Sequence, residues 1–151
     1  MGADDSTVRI AVPSGWERLH HPVAGVPLVM AARRHPASGV LPSMAVAVAE
    51  LGSGWSRAGY LGGLRDELIC GLEGGVVEDD DAVELDTGEV SYLRVAHRSG
   101  EAELVSEVWV WLCGGRAWSV SGTVDRRDYA DYCDVFEGVA ETFDPESSRP
   151  R

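Results

Sequence analysis

The chain has 151 residues, 44% hydrophobic and 25% charged, proportions that suit one globular domain able to bury its own core. A formal net charge of −12 opposes a phosphate backbone, so nucleic acid is not an expected partner. No apolar run approaches the ~20 residues of a membrane span.

Residues 1–6, acidic and without a basic-then-apolar secretory pattern, read as a flexible N-terminus. TVRIAV, residues 7–12, alternates and is expected to be a strand that stops at Pro13, with a turn through Gly15. LVMAARR, residues 28–34, is a second strand, followed by a loop from His35 to Pro42. SMAVAVAEL, residues 43–51, places Met44, Val46 and Val48 on one face. Ala45, Ala47 and Ala49 form the other, small enough to admit a helix or another layer.

Leu61, Leu64, Leu68 and Leu72 then recur at helical spacing and predict a helix over 56–72, capped by Ser56 and ended by Gly74-Gly75. Gly59, Gly62 and Gly63 each cost ~1 kcal/mol relative to alanine, so this helix leans on tertiary packing. The acidic run Glu78-Asp79-Asp80-Asp81, with Glu84 and Asp86, could bind a hard cation but reads first as a solvated, self-repelling surface loop. A calcium site would need about six to eight oxygens in a defined loop.

Residues 89–99 and 102–112 form a hairpin, and CGGR leads on to a strand over 117–124. Asp125 caps a closing helix over 126–143 whose apolar stripe includes Tyr129, Tyr132, Cys133, Phe136, Val139, Ala140 and Phe143. Residues 145–151 read as a disordered tail. Strands, a helix, a meander and a second helix make an α+β domain on a mostly antiparallel sheet of about six strands.

Few constellations offer chemistry. The turn at Gly52–Gly54, between a strand and a helix, looks like the opening motif of nucleotide and S-adenosylmethionine sites. Such sites sit on parallel βαβ sheets, and hairpin strands follow here instead. A small-molecule binder or enzyme using that turn is therefore the alternative reading. His20, His21, His35 and His97 could supply a base and Asp125 or Asp128 orient one, but nothing brings them together.

Cys70, Cys113 and Cys133 are odd in number and widely spaced, with no metal-ligand spacing. They read as reduced thiols in a cytoplasmic protein. Cys113 and Cys133 suit apolar filling, and Cys70 has no explanation. No serine elbow or metalloprotease pair is present. No catalytic residue, metal or cofactor is assigned, and an enzyme is the less favoured class.

The opening VRIAVPSGWERL and the close GGRAWSVSGTVDRRDYADYCDVFEGVAETF resemble the PsbP-like fold family, which includes LpqN-type and related bacterial proteins. Gly114, Arg116, Trp118, Val124, Asp125, Phe136 and Phe143 match the pattern. The resemblance covers residues 7–144 and implies a three-layer α/β/α sandwich with the helices 56–72 and 126–143. It also implies a module that binds other proteins, an adaptor, chaperone or assembly factor with a secretion-related role among the options, and it carries no catalytic motif. The expected partner is another protein, and homodimerisation stays open.

The tryptophans remain. Val108 and Val110 share one face of their strand, Trp109 and Trp111 the other, a pattern suited to a strand covered on both sides. Core is the first reading for both indoles. If both helices lay on one face, Trp109 and Trp111 would instead form a partner-binding patch. Trp55 and Tyr60, flanking the first helix, are the other candidate partner-binding residues.

Overall fold

The computed structural model describes residues 8–19 and 24–148. Among the described residues seven strands form one sheet: β1 (Trp16–Leu19), β2 (Leu28–Ala32), β3 (Ser43–Glu50), β4 (Glu73–Leu85), β5 (Gly88–Ser99), β6 (Ala102–Cys113) and β7 (Arg116–Asp125). Helix α1 (Arg57–Gly71) joins β3 to β4, and α2 (Tyr129–Thr142) follows β7 through a short 3-10 turn. The spatial order is β1-β2-β3-β7-β6-β5-β4, with every neighbouring pair antiparallel. The chain thus builds one edge and crosses the sheet through α1. It then returns as a four-stranded meander that closes against β3.

The seventh strand corrects the expectation of about six. The acidic run Glu78–Asp81 and Glu84, read as a surface loop, lie in β4, which pairs along β5 with register shifts between Glu73 and Val76 and between Val77 and Asp79. An acidic strand is tolerable at an edge because its charges discourage pairing with another chain. The strand expected over 7–12 is not one. Residues 8–13 make a single bridge, Arg9 to Asp144, and the first sheet strand begins at Trp16.

The main chain of that segment is satisfied by the C-terminal residues instead of a sheet partner. Arg9 N donates to Ser148 Oγ at 2.9 Å, Ala11 N to Thr142 Oγ1 at 2.9 Å, and Asp144 N to the Arg9 carbonyl at 2.9 Å. Residues 145–148, expected to fray, are therefore tied down, and Ser148 is buried. Residues 1–7 and 149–151 lie outside the described residues.

The helices pack on opposite faces of the sheet. Leu61, Leu64 and Leu68 of α1 rest on Leu93, Val108 and Val110, while Phe136, Val139 and Ala140 of α2 join Trp109, Trp111, Trp118 and Val120 in the main core. Ser56 caps α1 by accepting from Gly59 N at 3.0 Å. Gly74, at φ +65°, turns the chain into β4. No residue of α1 is fully buried.

Contrary to expectation, the alanine face of β3 has no helix over it, and Ala45 and Ala47 stay half-exposed. The crossover to the far edge carries α1 over β5 and β6, where larger apolar side chains offer it more area. On the opposite face a close approach is used. A Cβ on Gly122 of β7 would sit 2.7 Å from the Phe136 ring, so glycine lets α2 lie directly on the sheet.

Candidate functional site

Between α2 and the β4–β5 hairpin lies a cleft of about 450 Å³. Its lining includes Asp79, Asp81 and Glu84 from β4 and Asp134, Glu137 and Glu141 from α2. The three helical carboxylates are spaced three and four apart, hence on one helix face. The floor is Tyr92, Glu107, Trp109 and Tyr129, and among the described residues no arginine or histidine lines it. Arginines nearby are engaged elsewhere: Arg65 with Asp80, Arg94 with Glu78 at 3.4 Å, and Arg126 with Glu78 at 2.5 Å.

Glu107 is 4% exposed on the α2 face of β6. Its Oε2 accepts from the Tyr92 hydroxyl and from the Tyr129 hydroxyl, the latter at 2.9 Å. Its Oε1 is buried with no hydrogen-bond donor among the described residues. Burial pushes the Glu107 carboxyl above its ordinary value, with the two tyrosine hydroxyls and Arg94 opposing. The same burial, with Glu107 as acceptor, raises both phenols. The Arg94 guanidinium lies 5.8 Å from the centre of the Tyr129 ring and so supports Glu107 through that tyrosine.

A second cleft, of about 310 Å³, continues the groove. Glu141 belongs to both, and Asp86, Glu89, Asp144 and Glu146 add further negative charge around Trp111 and Phe143. Among the described residues, no group of three or more histidine, cysteine, aspartate or glutamate side chains is arranged to hold a metal ion.

No family model matches the chain, and no curated protein does. Solved structures do. LpqN of Mycobacterium tuberculosis, involved in cell envelope biogenesis, superposes with a TM-score of 0.69 at 16% identity, covering 95% of this chain and 88% of its own. Protein PA94 of Pseudomonas aeruginosa, of unknown function, gives 0.70 at 10% identity, over 97% of this chain and 99% of its own. PsbP of the cyanobacterium Synechocystis gives 0.64 at 15%, over 95% of each chain. The fold is PsbP-like.

Within this PsbP-like frame the residues singled out from the sequence separate. Trp109 and Trp111 are 4% and 3% exposed and belong to the core. Trp111 packs edge-on against Phe143 with ring centres 4.7 Å apart and donates Nε1–H to Thr87 Oγ1 at 3.0 Å. A partner patch on these two indoles is therefore corrected: α2 covers them, leaving Trp109 only an edge on the cleft. Tyr60 is half-buried and packs beside α1's leucines against the sheet. Trp55 alone of the four is substantially exposed, in the turn that leads into α1.

The Gly52–Gly54 turn is closed by Trp55 N donating to the Gly52 carbonyl at 3.2 Å, and no hydrogen-bonded strands beside it run parallel. The polar residues weighed as catalytic are dispersed. His97 is buried against Ser106 at 2.8 Å, its pKa lowered by burial, and His35 faces the Gly39 carbonyl at 3.2 Å. Asp125 is bound by Arg127 and held below the usual carboxylate range by that hydrogen bond. Asp128 accepts from Ser38. His20 and His21 lie outside the described residues.

Sequence reading missed Glu107 and the cleft built around it. The available signal was a charged residue between Val105 and Trp109 on a face otherwise apolar, where a bare glutamate is costly.

Proposed function

We propose that the chain is a non-enzymatic protein-binding module, an adaptor, chaperone or assembly factor, that receives a basic segment of its partner in the acidic groove. The observation that carries this is a cleft lined by seven carboxylates and, among the described residues, no cationic side chain, continued by a second cleft of the same sign. Such a groove focuses negative potential, which steers cationic partners and rejects anionic ones. Apolar floor residues give an entering side chain something to pack on. The superposed structures support the fold of this reading and leave its partner to chemistry. A cytoplasmic location belongs to the same proposal, supported by three unpaired cysteines.

The test is affinity capture from native lysate at low and high salt. The bait is the wild-type chain or a variant carrying Asp134→Arg, Glu137→Arg and Glu141→Arg. A partner with a lysine- and arginine-rich segment, retained by wild type and lost both at high salt and with the variant, is the expected result. Equal retention by the variant would overturn the groove as the contact surface.

A further inference from the structure

We propose that the floor of the acidic cleft is a subsite for one lysine side chain of the partner's basic segment, its ammonium seated on Glu107 Oε1. The inference rests on the groove being the partner-binding surface and adds which residue anchors the partner. The decisive feature is asymmetry within one carboxylate. Oε2 is saturated by two phenol hydroxyls, whereas Oε1, itself buried, meets no donor among the described residues.

The chain's own nearest cation is already placed. Arg94 Nε lies 3.4 Å from Glu78, and its Nη1 donates to the Tyr129 hydroxyl at 3.4 Å. Glu107 is thus held in position with one buried acceptor still to satisfy, and it lines the cleft. Carboxylate geometry then selects between cations. A guanidinium forks onto both oxygens of a carboxylate, and here one of the two is taken. An ammonium is a point charge that needs only one.

The walls suit the remainder of a lysine. Val83, Leu85 and the edge of Trp109 line the path its methylenes would follow, and Asp134 and Glu137 stand among the lining carboxylates. The source is another protein's side chain. The 151-residue chain contains no lysine, so a second copy of it has none to offer.

Isothermal titration of wild type with tetra-lysine, tetra-arginine, tetra-ornithine and Nε-acetylated tetra-lysine at low salt reads this directly. Tetra-lysine should bind about tenfold tighter than the acetylated peptide and measurably tighter than both the arginine and the shorter ornithine peptides. Glu107→Gln should remove that preference, while Glu137→Gln weakens all charged peptides alike. Tetra-arginine binding as well as or better than tetra-lysine would overturn the lysine assignment without any variant having to fold. Unchanged tetra-lysine affinity in folded Glu107→Gln would overturn the Glu107 anchor and leave the groove standing. Absence of salt-sensitive binding by every cationic peptide would remove the groove reading and the anchor with it.

Discussion

Glu107 and Gly122 show what single residues decide in this chain. Glu107 is more easily protonated folded than unfolded, because burial raises its carboxyl. The folded state therefore holds the proton to higher pH, and ionisation favours unfolding. Its contribution weakens as pH rises from the unfolded value through the folded one and is constant above. Tyr92 and Arg94 from β5 and Tyr129 and Glu137 from α2 face it and set that window. Urea melts of wild type and Glu107→Gln between pH 4 and 8 should show the variant gaining relative stability as pH rises. At Gly122, an added Cβ would meet a fully buried Phe136 ring at 2.7 Å, so Gly122→Ala should cost about 1–3 kcal/mol in the same melts. Neither role was legible beforehand. A glycine in a strand and a glutamate among valines take their meaning from what the other elements bring against them.

At the scale of elements, α1 and α2 are held differently. α2 buries Phe136, Val139 and Ala140, whereas no residue of α1 is fully buried. Amide exchange should be faster across α1, since a helix with few buried contacts opens locally at little cost. Gly63 has open space where a Cβ would go, so Gly63→Ala should stabilise the protein by up to about 1 kcal/mol. Gly59→Ala should not, because its Cβ would lie 2.9 Å from the Ser56 Oγ that caps the helix.

Both helices, the Ser56 cap and the β5–β6–β7 meander followed from period and turn residues. Asp125, expected to cap a helix over 126–143, instead caps the 3-10 turn 126–128, and α2 starts at Tyr129 behind Asp128, which makes no side-chain cap bond. β4 did not follow from its residues, because aspartate and glutamate disfavour strands by propensity. Pairing with β5, which sets Asp79 opposite Arg94 and Glu73 opposite Arg98, overrides that preference. The segment 8–13 failed in the reverse sense. Its alternation suits a strand, but the C-terminal residues claim its hydrogen bonds.

At the scale of the molecule, the net charge of −12 is unevenly spread. Arginines tie Glu78 and Asp80, while the carboxylates that line the cleft have no ion-pair partner among the described residues. The sequence disclosed the sign of the charge and the class of the fold. It could not disclose the cleft, because β4, β6 and α2 meet there from separate parts of the chain. The two helices lie on opposite faces, so Trp109 and Trp111 are core rather than a partner-binding patch. The binding surface lies beside them, built from carboxylates.

The most direct test of the groove is to follow backbone amide shifts of the 15N-labelled chain as tetra-lysine is added at low salt. Perturbations should concentrate on residues 79–85, 107–109 and 129–141 and collapse when salt is raised. Shifts centred on Trp55 and Tyr60, or none at any concentration, would contradict it.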